Sequence, residues 1–168
     1  MTDSDLREVQ KPLKAEYEDD PEAAKITMSA TGEQHDDARS CSVDIGRAIY
    51  EAELHEGTGG PGTGACSGDL LLGALAACSQ LTAQAVAENF GEDVEVSVEA
   101  SGDLDLRGTM GIAEEAPVGF EEIRLETTVD GELSEETAEA LERYTEQYCV
   151  VFQTLLDPPA VETEWRFE

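Results

Sequence analysis

Two of the four cysteines lie in apolar, helical sequence and could carry out chemistry as a pair. Cys78 lies in the middle of residues 70–87, which contain no charged side chain, and Cys149 lies in a second helical segment nearer the end of the chain. A cysteine thiolate is a nucleophile, and two neighbouring cysteines can form a disulfide. Free cysteine is also among the most buried residue types and often serves as a small apolar side chain. The two residues therefore allow either a redox pair or two packing residues.

The remaining motifs exclude several kinds of site. The two histidines, His35 and His55, lie in polar sequence, and the chain has no Cys-x-x-Cys, His-Glu-x-x-His or nucleophile-elbow pattern. The glycine-rich loop at 56–68 lacks the lysine with which a phosphate-binding loop contacts a phosphate. We therefore expect neither a metal nor another cofactor, and we interpret the loop as a connection.

Alternating apolar and polar residues indicate the elements that must position the two cysteines. The predicted strands cover residues 25–30, 39–45, 48–54, 92–108, 120–131 and 160–167. The predicted helices cover residues 70–87, with Ser67 or Asp69 as the cap, and 133–156, which opens with Ser134. This β-β-β-α-β-β-α-β order predicts an α+β domain with two helices on antiparallel sheet. Residues 1–23 are polar and predict a loose, partly flexible acidic lead-in.

The charge of the chain describes its solvent more than its function. Ten Lys and Arg residues stand against 39 Asp and Glu residues, which gives a formal net charge of -29 spread along the whole sequence. This bias predicts adaptation to a very salty cytoplasm, and it argues against nucleic acid as a partner because no basic patch can be assembled. The start MTDSDLREVQ does not look like a secretion signal, so we expect a cytoplasmic protein with its cysteines as thiols.

The apolar segment at 70–87 could in principle cross a membrane. As a helix it would span about 27 Å, the lower edge of what a bilayer needs. It contains Ser79, Gln80, Thr82 and Gln84, however, and has no aromatic belt. We therefore predict a helix buried in a soluble protein that does not contact a membrane. Because a lone domain of this size would not cover so uniform an apolar helix, we also predict an obligate homodimer.

The glycine-rich loop, the stretch LLLGALAACSQLT at 70–82, and a later cysteine followed by VVFQTL resemble the OsmC/Ohr family. This is the family of osmotically inducible protein C and the organic hydroperoxide resistance proteins, and the chain resembles an acidic, haloarchaeal-type member of it. The resemblance covers about residues 24–168. It implies an OsmC-like α+β domain with two antiparallel sheet segments, two central helices and an intertwined homodimer.

The resemblance also implies an activity and its residues. Such a protein is a two-cysteine, thiol-dependent peroxidase for organic hydroperoxides or hydrogen peroxide. Cys78, as a thiolate, would attack the peroxide and become a sulfenic acid. Cys149 would then condense with it to a disulfide, which an external dithiol reduces. The apolar surroundings raise a thiol pKa, so a cation is expected near Cys78.

The family supplies that cation from an arginine paired with a glutamate, and this sequence differs there. Gly68 stands at the glutamate position, ten residues before Cys78, and Asp69 follows it. Gln34 stands where a direct comparison expects the arginine, with Arg39 five residues later. We therefore predict Arg39 as the activating cation and Asp69 as its partner.

Two further departures leave a second hypothesis open. Cys66 and Ser67 replace the family's Asn/Ser-Pro, and Val150 follows Cys149 where the family has proline. The alternative is a noncatalytic OsmC-like protein that binds a small apolar ligand at the dimer interface or senses oxidation through its cysteines.

Overall fold

A computed structural model describes residues 6–167, and its first sheet is built around a meander. Strands β1 (Thr31–Gln34), β2 (Ser40–Asp44) and β3 (Ile49–Glu53) pair antiparallel in chain order. The short strand β4 (Ala65–Cys66) extends the sheet by pairing parallel to β3. The predicted strands at 39–45 and 48–54 are thus confirmed as β2 and β3.

The strand predicted at 25–30 is wrong, because the first strand lies in the following polar residues. Register places Thr31 opposite Asp44, and β2 ends there as the chain turns toward β3. Residues before Thr31 therefore have no neighbouring strand to pair with. Ile26 and Met28, the apolar residues of the predicted strand, remain 81% and 85% exposed.

A helix, α1 (Leu6–Asp19), occupies much of the segment predicted as a loose lead-in. Val9, Leu13 and Tyr17 recur at helical spacing along it, and this periodicity explains the helix. None of its residues is buried. The first five residues of the predicted lead-in lie outside the described part. A short 3₁₀ helix at Pro21–Ala24 follows.

The apolar helix, α2 (Ser67–Phe90), is longer than predicted at both ends. At its start, the Asp69 carboxylate accepts a hydrogen bond from the backbone N–H of Cys66 over 2.8 Å. At its end, Gly91 adopts a φ of 79°, and the N–H groups of Gly91 and Glu92 bond the carbonyls of Glu88 and Ala87. This Schellman arrangement satisfies carbonyls that the last helical turn leaves open.

The second sheet consists of β5 (Glu95–Asp103) and β6 (Glu122–Asp130), which confirms the two strands predicted in these regions. A one-turn helix, α3 (Leu106–Thr109), lies between them. The helix predicted at 133–156 is two helices, α4 (Glu135–Tyr148) and α5 (Val150–Leu156), separated by Cys149. Ser134 caps α4 by accepting the N–H of Thr137, as its type predicts.

The chain divides into two compact units. The first comprises the described residues up to Gly73 together with Ala100–Leu125, and the second comprises Ala74–Glu99 and the chain from Glu126 onward. In the second unit, α2, α4 and the second sheet form a core. Its buried centre is Val86, Ala87 and Leu141, and packed against it are Val94, Val129, Leu133 and Tyr144.

The strand predicted at 160–167 is also wrong, since neither sheet of the described chain includes it. Its alternating apolar residues point to solvent, with Val161 83%, Trp165 78% and Phe167 90% exposed. The observed α+β architecture, with two small sheets and several helices, nevertheless confirms the predicted fold class.

Candidate active site

Cys78 and Cys149 come together in the second unit. Cys78 is half-buried on α2, next to the buried face formed by Leu75, Ser79 and Ala83. Cys149 is 1% exposed, and its thiol donates a hydrogen bond to the sulfur of Cys78. Both cysteines are free thiols in this structure. The two residues that sequence reasoning selected are therefore neighbours in space, on two different helices.

The backbone at Cys149 ends one helix and begins the next. Its φ of −74° and ψ of 103° are extended rather than helical. Its N–H donates to the carbonyl of Thr145 over 3.0 Å, and its carbonyl accepts from the N–H of Gln153 over 2.9 Å. The residues after it open α5, so their N–H groups have no carbonyl acceptor within that helix.

Those open N–H groups bind the sulfur of Cys78. Burial raises the pKa of the Cys78 thiol, but the N–H of Val151, the thiol of Cys149 and the N–H of Val150 donate hydrogen bonds to its sulfur, and the nearby hydroxyl of Thr82 lowers the pKa as well. Together they outweigh burial and bring the Cys78 pKa below its ordinary value. The site thus favours Cys78 as the thiolate.

Cys149 is shifted in the opposite direction. Burial raises its pKa, the N–H of Phe152 lowers it, and the adjacent sulfur of Cys78 raises it further. Cys149 therefore keeps its proton over the pH range in which Cys78 loses its own. This division gives the pair one nucleophile and one protonated thiol, an arrangement suited to successive oxidation and disulfide formation.

Arg39, the predicted activating cation, is held by a different carboxylate from the one expected. Its Nε and Nη2 bond the two oxygens of Asp37 over 3.0 and 2.8 Å. Arg39 donates to this carboxylate from its guanidinium and from its backbone N–H, and these bonds lower the pKa of Asp37 to about 2. Arg39 follows Asp37 by two residues in the turn between β1 and β2, so the pairing is local. Gln34, at the directly compared position, lies in β1 opposite Cys41.

Asp69 acts at the start of α2 and not on an arginine. Its carboxylate accepts the backbone N–H of Cys66 and also the Cys66 thiol, and both bonds lower its pKa. An acid three residues into a helix that bonds the N–H of the capping residue completes half of a capping box. No ion pair joins Asp69 to Arg39 within residues 6–167, and their pairing stays a prediction.

Gly68, at the position of the family glutamate, has room for a side chain. A Cβ there would lie 3.4 Å from the sulfur of Cys66 and 3.4 Å from Cζ of Phe120, which is ordinary van der Waals contact. In the adjoining loop, by contrast, a Cβ on Gly60 would lie 1.6 Å from the carbonyl oxygen of Leu54. Close backbone approach therefore requires glycine at 60 but not at 68.

Sequence reasoning missed the donors around Cys78. The two N–H groups belong to the backbone, which carries no sequence signature. Thr82 stands four residues after Cys78, a spacing that puts both on one helix face. Its hydroxyl also donates to the Cys78 carbonyl over 2.8 Å. Over the described residues, no cluster of three metal-binding side chains occurs.

Comparison with known proteins agrees with this fold. The family model described as OsmC-like protein matches residues 60–164, which is more than half of the chain. The chain therefore belongs to the OsmC-like protein family. No curated protein sequence matches it.

Solved structures show the same fold at low sequence identity. An OsmC-like protein from Mycoplasma pneumoniae is 19% identical with a TM-score of 0.65, covering 80% of this chain and 90% of the other. An organic hydroperoxide resistance protein from Elizabethkingia anophelis is 21% identical with a TM-score of 0.63, covering 80% and 91%. An OsmC-like protein of unknown function from Vibrio cholerae is 11% identical with a TM-score of 0.63, covering 77% and 94%.

Proposed function

We propose that this protein is a thiol-dependent peroxidase that reduces organic hydroperoxides or hydrogen peroxide through Cys78 and Cys149. The observation that carries the proposal is the hydrogen-bonded cysteine pair, in which the pKa of Cys78 is lowered and that of Cys149 is raised. The name of the Elizabethkingia anophelis structure, an organic hydroperoxide resistance protein, supports the same reaction class.

The chemistry runs in three balanced steps. The Cys78 thiolate attacks one peroxide oxygen, the O–O bond breaks, and the departing alkoxide or hydroxide takes a proton from water. Cys78 is then a sulfenic acid. The sulfur of Cys149 attacks it, the S–O bond breaks, and water leaves with the proton of the Cys149 thiol. An external dithiol reduces the resulting disulfide and restores both thiols.

The half-buried position of Cys78 suits this order of reaction steps. Its sulfur must meet a small peroxide from outside the protein, whereas Cys149 needs to meet only Cys78. Apolar α2 residues around the thiol favour an alkyl peroxide over a charged molecule. We further propose a cytoplasmic homodimer, since each step depends on free thiols and the apolar face of α2 needs a cover.

The alternative is a noncatalytic protein that binds a small apolar ligand or senses oxidation. One observation favours it: Gly68 replaces the family glutamate, and Arg39 and Asp69 are bonded to Asp37 and Cys66 instead of each other. A sensor needs only a cysteine pair that oxidises, and no fast turnover.

Peroxide consumption by the purified protein in molar salt, with a dithiol as reductant, separates the two functions. We expect wild type to consume cumene hydroperoxide with turnover, Cys78→Ser to consume none, and Cys149→Ser to undergo one oxidation without turnover. Cys41→Ser is the matched control, because Cys41 lies on β2 in the first unit. Stoichiometric oxidation of wild type without turnover would favour the sensor, and no oxidation would favour the ligand-binding protein.

A further inference from the structure

The hydroxyl of Thr145 is a buried polar group that the chemistry described so far does not use. Thr145 is 7% exposed, and its Oγ1 has no hydrogen-bond partner among the described residues. Buried hydroxyls in folded proteins are nearly always bonded, and an exception calls for a reason. Thr145 is thus the one such side-chain atom in residues 6–167.

Two other helical threonines of this protein donate their hydroxyl to a backbone carbonyl of their own helix, and Thr145 does not. Thr82 donates to the carbonyl of Cys78 over 2.8 Å, and Thr154 donates to the carbonyl of Val150 over 2.7 Å, each four residues back. This back-bond is the usual solution for a threonine inside a helix. Thr145, on α4, leaves the carbonyl of Leu141 without it, so its hydroxyl proton is uncommitted.

Helix geometry places the side chain of Thr145 on the same face of the chain as that of Cys149. Thr145 precedes Cys149 by one turn, and the Cys149 N–H bonds its carbonyl over 3.0 Å. Side chains four residues apart lie on one helix face, with Cβ atoms about 5–6 Å apart. Both are buried, so they face the same interior.

Contacts with α2 identify the interior that Thr145 and Cys149 face. Leu141, one turn before Thr145, packs with Val86 and Ala87 of α2, while Cys149, one turn after it, meets Cys78 of the same helix. The two helices therefore run antiparallel along this face. Thr145 lies opposite the stretch of α2 between these two contacts.

We propose that the Thr145 hydroxyl donates a hydrogen bond to the oxygen that Cys78 gains on oxidation. This inference rests on the proposed function, because it concerns the second chemical step. In the reduced pair, the Cys149 thiol and the N–H groups at the start of α5 donate hydrogen bonds to the sulfur of Cys78. The sulfenic oxygen is a new acceptor in apolar surroundings, and Thr145 holds the uncommitted donor on the Cys149 side.

The bond would act when the disulfide forms. As the sulfur of Cys149 attacks, the S–O bond of Cys78 lengthens and negative charge develops on the departing oxygen. That oxygen leaves as water, with the hydrogen it already carries and the proton of the Cys149 thiol. Thr145 keeps its own proton throughout and stabilises the charge on the oxygen by hydrogen bonding.

The test compares Thr145→Val with Thr145→Ser, which retains the hydroxyl. Each protein is oxidised with excess hydrogen peroxide, which converts even a poorly reactive thiolate, and samples are followed by intact mass with dimedone to trap sulfenic acid. We expect Thr145→Val to form the disulfide about tenfold more slowly, the effect of losing one hydrogen bond to a partly charged oxygen. Thr145→Ser should form it at close to the wild-type rate, and so should Thr154→Val, the matched loss of a helical hydroxyl.

A purely structural Thr145 gives a different result. Valine then fills the same space without a buried unbonded hydroxyl, so the variant melts higher than wild type and forms the disulfide as fast. That result, or equal slowing in Thr145→Val and Thr145→Ser, overturns the inference. If wild type loses its thiolate no faster than free cysteine, yet disulfide formation still depends on Thr145, the peroxidase proposal fails while this inference stands.

Discussion

The thiolate of Cys78 is stabilised in the second unit by neutral donors, two backbone N–H groups, a thiol and a hydroxyl. A cation performs this task less well in strong salt, since the Debye length falls to about 3 Å at 1 M. Hydrogen bonds made at contact distance inside a half-buried site are screened far less. A backbone-held thiolate therefore fits the salty solvent that the charge of the chain predicts.

The lowered pKa of Cys78 and the raised pKa of Cys149 predict a pH-dependent order of reactivity. A thiol reacts as its thiolate, so alkylation of Cys78 by iodoacetamide should reach its plateau at a lower pH than that of a free cysteine. Cys149 should react only at higher pH. Cys149→Ala removes a donor and should raise the Cys78 pKa, shifting the rate profile to higher pH. Superimposable profiles for wild type and Cys149→Ala would contradict the role of the Cys149 thiol.

Gly68→Glu tests the predicted activation by Arg39. If Arg39 activates Cys78, restoring the carboxylate should speed the reaction with an organic hydroperoxide, and Arg39→Ala should raise the Cys78 pKa. Gly68→Ala controls for the added Cβ, which meets only ordinary contacts at 3.4 Å. Stopped-flow measurement of Cys78 oxidation, with each variant made in a protein whose only cysteine is Cys78, reports the rate. An unchanged rate in Gly68→Glu, with the fold intact, would leave the neutral donors as sufficient.

The sequence predicted the two sulfur residues but not the groups that control them. Cys78 and Cys149 were selectable because a cysteine inside apolar sequence is conspicuous. Val150 and Val151 act through backbone N–H groups that any residue type except proline carries, so nothing in their side chains points to the role. Arg39 was selected by its charge, and its local carboxylate partner, Asp37, is two residues away.

At the scale of elements, α2 depends on how it begins. Asp69 at its third position bonds the N–H of Cys66, and an acid in the first turn also interacts favourably with the helix dipole. The long apolar run thus starts at a defined residue.

Asp69→Ala should destabilise the protein by about 1 kcal/mol at neutral pH, the usual effect of losing such a cap. Because the folded-state pKa of Asp69 is lowered, its contribution is complete above its ordinary pKa and is lost as pH falls through the lowered value. Denaturant unfolding in constant molar salt measures it. Glu114→Ala removes an equal charge from an exposed loop and should have little effect.

The elements also show where pattern reasoning stops. The periodicity of residues 133–156 is continuous, so it predicted one helix, and the break at Cys149 appears only in the backbone angles. The segments at 25–30 and 160–167 alternate as strands do, yet the single chain offers them no neighbour. An alternating pattern shows that a segment is suited to a strand, but a strand forms only where a neighbouring strand is present to pair with it.

At the scale of the whole molecule, the single chain leaves much apolar surface uncovered. Only 22% of the most apolar stretch of α2 is buried within the chain. By length and composition alone, this described helix is long and apolar enough to cross a membrane. Leu71 and Leu81, at 38% and 66% exposed, lie on its open side. Membership of the OsmC-like family is consistent with a soluble protein in which this helix is internal.

We expect a homodimer in which a second copy covers this face of α2. Leu81→Lys should then reduce the mass from light scattering in molar salt to that of one chain, because a buried charge opposes association. Ile112→Lys, at a loop residue that is 71% exposed, is the matched control and should remain dimeric.

A dimer should also shift the emission of Trp165, the single tryptophan, to shorter wavelength if residues 160–167 pair with the partner. A wild-type monomer would contradict this assembly.

The charge of -29 predicts dependence on salt for folding. Removing salt lengthens the range of repulsion among the carboxylates, so the melting temperature followed by circular dichroism should fall as potassium chloride is diluted from molar to millimolar. The loss should be reversible on restoring salt. A melting temperature that does not change over this range would remove the halophilic interpretation.

The dual position of Cys149, which caps the end of α4 and the start of α5, couples α5 to the oxidation state of the pair. In the reduced protein, the amides of Val150 and Val151 point at a negative sulfur. In a disulfide that sulfur is neutral and a poor acceptor, so both amides lose their strongest partner. Their protons should then exchange with deuterium faster, and α5 should loosen at its first turn. Exchange at these two amides would thus report the redox state of the cysteine pair.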